Sequence, residues 1–254
     1  MTNELSNPLT LHLRRQWLKQ SSGTYTEWQL SITEERLPYN QVAIIVCDMW
    51  DNHWSRGAAE RVNSLAPRMS ATLEVARRRG ATIFHAPSET MGFYAGSSAR
   101  ERALSVPGIL PPKEIDHVEF PLPVDDSDGG SDTGEMEAQR LWTRQHPAID
   151  IDQEKDYISD NGLQVFGILK KLDLKFLLIM GVHTNMCILN RSFAIKQMIR
   201  WGMPVALVRD LTDALYNPAK PPYVSHEMGT SLVVEYIEKF WCPTIDSIDL
   251  LTGK

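Results

Sequence analysis

The chain alternates between short, wholly apolar runs and longer segments in which apolar residues recur every third or fourth position. The runs are VAIIVC (Val42 to Cys47), ATIFHA (Ala81 to Ala86), KFLLIMG (Lys175 to Gly181) and PVALVRD (Pro204 to Asp210). Apolarity unbroken over so short a length fits strands buried on both faces. Between them, Val62, Leu65, Ala66, Met69, Leu73 and Ala76 predict a helix that Pro67 breaks or kinks and Gly80 closes. Val165, Phe166, Leu169 and Leu172 predict a second helix over Asn161 to Leu172. Ile188, Leu189, Phe193, Ile195 and Ile199 predict a third, and Ser225 to Lys239 a fourth. Strands alternating with helices imply a parallel sheet covered on both faces. The expected class is therefore α/β, a three-layer α/β/α arrangement with a mainly parallel, Rossmann-like central sheet.

Two regions fall outside that rhythm. Leu9, Leu11 and Leu13, then Trp28, Leu30 and Ile32, alternate with period two. They predict one or two strands, or an extended arm, covering the edge of the domain. Residues 1–40 are thus an N-terminal arm, and 41–254 a single domain. Within it PGILPP, PLP and DDSDGGSD mark a long loop insertion at about 105–150, with HVEF (His117 to Phe120) a candidate short strand.

Composition narrows the partners. The 254 residues are 43% hydrophobic and 23% charged, ordinary for a globular chain with a sizeable core. A formal charge of −6, with no run of Lys and Arg, argues against nucleic acid or an anionic membrane surface. The first twenty residues hold no apolar stretch of signal-peptide length, and no long apolar run suggests a membrane span. Three widely spaced cysteines, Cys47, Cys187 and Cys242, make a disulfide framework unexpected and fit a reducing cytoplasm.

In parallel sheets ligands bind beyond the carboxyl ends of the strands. That rule selects Asp48, Asp51 and His53 after the first run, His85 at the end of the second, His183 and Cys187 after the third, and Asp210 after the fourth. Cys187 lies in GVHTNMC, where a strand gives way to a helix. With Thr184 as N-cap, free N–H groups and the helix dipole would favour a thiolate there. The alternative is a small buried hydrophobe, which is the reading preferred for Cys47 and Cys242. Asp48 follows an apolar strand, where a carboxylate needs a cationic or hydrogen-bonding partner. Lys155, in EKDYIS, is one candidate, and Lys113 the next.

The order of these residues resembles the isochorismatase-like cysteine hydrolases, a superfamily that includes nicotinamidases and N-carbamoyl amide hydrolases. The resemblance runs from about Val42 to Val208 and rests on VAIIVCDMW, EKDYIS and GVHTNMC. It implies Cys187 as nucleophile, Asp48 as the base that takes its proton, and Lys155 as the group that orients Asp48. It further implies a cis peptide at Val182–His183 and an oxyanion site built from the N–H groups of His183 and Cys187. Ser159, Asp160, Asn161 and Gly162 depart from the small-residue-plus-Phe motif that often follows the family lysine. The implied chemistry is hydrolysis of a C–N bond, amide or carbamoyl in type, of a small molecule through a thioester.

Some alternatives stay open on the residues alone. Asp51, His53 and His85 could converge on a divalent zinc, iron or manganese ion, as in a metal-dependent amidase, or could be hydrogen-bonding pocket residues needing no cofactor. Asp126, Asp128 and Asp132 only loosely match a calcium loop. Trp50, Trp54, Phe93 and Tyr94 could wall the pocket or meet another subunit, since the resemblance implies a homo-oligomer. A catalytically silent scaffold of the same fold is the last alternative.

Overall fold

The computed structural model describes residues 8–20, 23, 25–136 and 139–252. At its centre, each apolar run forms a strand: β3 (Val42–Cys47), β4 (Thr82–Ala86), β6 (Phe176–Val182) and β7 (Val205–Asp213). Short strands β5 (Tyr157–Ile158) and β8 (Thr244–Ile245) flank them, and all of these pair in parallel. The N-terminal arm is a hairpin of two long strands, β1 (Leu9–Gln20) and β2 (Thr26–Leu37), that joins the same sheet antiparallel through β8. The eight strands lie in the order β2-β1-β8-β7-β6-β3-β4-β5.

Alternation along β3 divides the interior into two apolar cores. Val42, Ile44 and Val46 point to one face, with Leu9, Leu11 and the stripe Val62, Ala66, Met69 and Leu73 of α1 (Arg56–Arg78). Ala43, Ile45 and Cys47 point to the other. There they meet Val165, Phe166 and Leu169 of α3 (Gly162–Lys171) and Val233 and Ile237 of α6 (His226–Phe240). Side-chain caps start all three helices: Ser55 accepts from Ala58, Asn161 from Gln164 and Ser225 from Met228. A short α2 (Ser98–Leu104) precedes the insertion, and α7 (Ile248–Thr252) closes the chain. Among the described residues, no helix is long and apolar enough to cross a membrane.

Three local expectations are corrected. Pro67 does not break α1, which runs unbroken through it. His117 to Phe120 form no strand. The helix expected from Ile188 to Ile199 is two helices, α4 (Cys187–Asn190) and α5 (Ile195–Arg200). They are parted at Arg191, whose backbone is extended at ψ 151°.

The central pair β3 and β6 approaches unusually closely at its carboxyl end. Gly181 has φ +119°, and a Cβ there would lie 2.1 Å from the Cys47 carbonyl oxygen, so only glycine fits.

Candidate active site

Asp48 and Cys187 emerge from those two adjacent strands. Asp48 takes the left-handed conformation, φ 47°, which Asp tolerates better than most residues. Its side chain is fully buried. One carboxylate oxygen accepts from the Ser88 N–H at 2.7 Å, the other from Arg191 Nε at 2.8 Å. The Cys187 thiol is hydrogen-bonded to the same carboxylate, and the His183 N–H is directed at the sulfur. The peptide bond between Val182 and His183 is cis. Cys187 is half-buried, whereas Cys47 and Cys242 are buried in the core.

Burial raises the pKa of Asp48, opposed by Arg191 and by the Ser88 hydrogen bonds. Burial also pushes the Cys187 thiol up, and the Asp48 carboxylate pushes it further, with Arg191 opposing. The expectation of a thiolate favoured by a helix start is thereby reversed. Thr184 is not the N-cap: its hydroxyl bonds Thr212 Oγ1 at 2.8 Å, and α4 has no side-chain cap. The resting pair is a thiol facing a carboxylate, the arrangement a proton transfer needs.

The cation on Asp48 is Arg191, not Lys155. The Lys155 side chain is 67% exposed and its ammonium lies 3.6 Å from Asp152; Lys113 is exposed as well. The neighbour of Lys155, Asp156, is the charged residue of EKDYIS that turns inward, to Arg77 at 2.7 Å and His85 at 3.0 Å. Arg191 follows Cys187 by four positions, so the signal for it was a cation one helical turn beyond that cysteine. Asp210 also leaves the set. It lies within β7 and holds Ser247, while the strand runs on to Asp213.

Aromatic residues cluster beside Asp48 and Arg191. Trp50 stacks on Trp142 with ring centres 4.2 Å apart, and His53 stacks on Trp142 at 5.7 Å. The Trp50 indole N–H donates to the Ser88 carbonyl, and Arg191 lies 6.0 Å from the ring centre. His53 meets His183 edge-on at 5.0 Å and Trp54 at 5.3 Å. Burial lowers the His53 pKa to about 4 and keeps His183 well below its usual range, so both rings are neutral at neutral pH. Trp142, which sequence reasoning missed, belongs to the insertion. Phe93 and Tyr94 sit elsewhere, lining a cleft of about 290 Å³ with Gln145 and Ile149.

The residues considered for a metal do not converge. Asp51 accepts from Thr143 and Arg144, and His53 Nδ1 accepts from the Ser55 N–H. Both ring nitrogens of His85 are engaged, by Gln145 and Asp156. No group of three or more His, Cys, Asp or Glu placed to hold a metal ion occurs among the described residues. The loop aspartates are likewise spoken for: Asp126 by Asn185, Asp128 by Asn217 and Asp132 by Arg61.

No family model matches the chain, and comparison with curated proteins finds none similar to it in sequence. Solved structures do match. A cysteine hydrolase from Pseudomonas syringae pv. phaseolicola 1448A superposes with a TM-score of 0.52 at 14% identity, over 86% of this chain and 97% of that one. An isochorismatase from Pseudomonas putida KT2440 superposes with a TM-score of 0.50 at 11% identity, over 83% of this chain and 90% of that one. The chain therefore has the fold of the isochorismatase-like cysteine hydrolases.

Proposed function

We propose that this protein is a cysteine hydrolase that cleaves a C–N bond, amide or carbamoyl in type, of a small molecule through a thioester. The observation that carries the reading is the Cys187 thiol bonded to a fully buried Asp48 whose other oxygen is held by Arg191. Asp48 takes the thiol proton as sulfur attacks the carbonyl carbon. The oxyanion of the tetrahedral intermediate is received by the N–H groups of His183 and Cys187, each worth roughly 3 kcal/mol in such a role. The C–N bond then breaks, and protonated Asp48 returns the proton to the departing amine. Water, deprotonated by the same carboxylate, attacks the thioester, releases the acid and restores the thiol. Arg191, whose guanidinium does not titrate, stays charged through the cycle and favours the return of Asp48 to its anionic form after each proton transfer.

A nucleophilic thiol opposite a base favours C–N cleavage over hydrolysis of a vinyl ether, which needs no covalent sulfur. The test is ammonia release from a panel of small amides, carbamoyl compounds and ureides, with Cys187→Ala as control. The reading expects at least one substrate turned over by the native chain and not by the variant. Equal turnover by Cys187→Ala would sink the covalent mechanism.

A further inference from the structure

Along β2 the chain alternates strictly. Glu27, Gln29, Ser31, Thr33 and Glu35 occupy one face, and Trp28, Leu30 and Ile32 the other. This is the pattern of a strand with one face buried, yet Trp28 is 41% exposed, Leu30 53% and Ile32 58%. Leu18, opposite Trp28 on β1, is exposed too. Helix α6 covers β1 on that side, where Arg14 and Gln16 bond its Glu238, but it does not reach across β2. At its end Phe240 meets Trp28 edge-on at 5.6 Å and Lys239 lies 5.4 Å from the Trp28 ring centre, with Phe120 stacked on Phe240.

The backbone is uncovered as well. β2 ends the sheet, and its one strand neighbour among the described residues is β1. From Trp28 to Thr33 it has no proline, no charge and no bulge, the devices by which edges are normally blunted. We propose that a second copy of this chain pairs with this edge, its β2 side chains packing laterally against Trp28, Leu30 and Ile32. The two β2 strands pair antiparallel about a two-fold axis at Leu30.

The sequence of β2 is complementary to itself in that register. Leu30 then faces the partner's Leu30, Trp28 faces the partner's Ile32, and Glu27 faces the partner's Thr33. Sliding by two residues one way sets Glu27 against the partner's Glu35 and Trp28 against the partner's Glu34, opposing like charges and an indole to a carboxylate; sliding the other way sets Ile32 against the partner's Thr26 and puts Gln29 on the axis in place of an apolar pair. An isologous contact requires self-complementarity of this kind, and edge-to-edge pairing supplies the missing main-chain hydrogen bonds.

Sedimentation at micromolar concentration, together with cysteine cross-linking, tests it on the full chain. The native protein should sediment at the mass of two chains, and Leu30→Lys at the mass of one with an unchanged far-UV spectrum. Facing Cα atoms across antiparallel strands are about 4.5–5.5 Å apart, within disulfide range. Leu30→Cys should therefore give a disulfide-linked dimer on mild oxidation, and Ser31→Cys, which faces a different residue, should not. A monomeric native protein, a Leu30→Lys variant that stays dimeric, or Leu30→Cys cross-linking no faster than Ser31→Cys would each overturn the proposal.

Discussion

Arg191 holds Asp48 in the place the resemblance implied for Lys155, and the exchange has consequences a lysine would not have. Its planar fork reaches Asp48 at 2.8 Å through Nε and Glu89 at 3.6 Å through Nη1. Arg191→Lys keeps the charge but loses that geometry, so turnover should fall about 10–100-fold, the worth of one charge-assisted hydrogen bond. Asp48→Asn removes the proton acceptor and should cost about 10²–10⁴-fold. The pH profile separates the two roles. Burial sets the acid limb of kcat/KM above the ordinary aspartate value of 3.8, and Arg191 opposes that rise. Arg191→Ala should therefore move the limb to still higher pH; an unmoved limb would mean that Arg191 only packs. Among the thiols, all three are pushed up by burial, Cys242 to about 12, so access sets their order of reaction. Cys187 should alkylate first but slowly at neutral pH, as peptide mapping after brief labelling would show.

At the scale of elements, the insertion is part of the site. His53, Ser55, Arg61 of α1 and Tyr236 of α6 hold it. Ser131 donates to Ser55, and Arg61 joins Asp132 to Asp213. Asp213 in turn holds His226 at 2.9 Å, while the other ring nitrogen faces the Tyr216 carbonyl. With an acceptor at each nitrogen the ring favours two protons. Burial lowers the His226 pKa, but Asp213 more than offsets this and the net shift is upward from 6.5. The stability this contributes is fully present below pH 6.5 and lost as pH rises through the folded-state value. Thermal melts should show that decline, and His226→Gln should flatten it. Gly130 has φ +77° and lies where a Cβ would meet the Leu215 carbonyl oxygen at 2.2 Å. Gly130→Ala should loosen the insertion and raise KM with a smaller effect on kcat. The four central strands were legible because unbroken apolar runs are local signals, whereas the two-residue strands β5 and β8 are too short to leave one. The insertion's role was not legible, since its contacts are polar and distant in sequence. Lys155 and Arg191 could not be told apart for the same reason: burial of a cation is a tertiary fact, and the break between α4 and α5 that frees Arg191 leaves no mark on the apolar spacing.

Across the whole molecule, buried carboxylates tie the N-terminal hairpin to the domain: Asp249 of α7 holds His12. Glu238 of α6 accepts from Arg14 and Gln16 on β1 and from Thr244 on β8. Glu238→Leu leaves those donors unmet and should cost about 3 kcal/mol in urea unfolding, while Glu238→Gln should cost less. The arm is thus continuous with the sheet rather than appended to it, which its period-two pattern suggested without fixing a neighbour. The meeting of Gly181 with the Cys47 carbonyl acts at the same scale as a gauge block. Cys187 and Asp48 follow two strands whose separation is fixed by main chain touching main chain, with no side chain between them to vary. Substitutions can therefore reshape the walls, the insertion and the hairpin while the span from sulfur to carboxylate stays constant. By the same reasoning, a single added methyl at position 181 would force the strands apart and silence a site whose reacting groups were all still present.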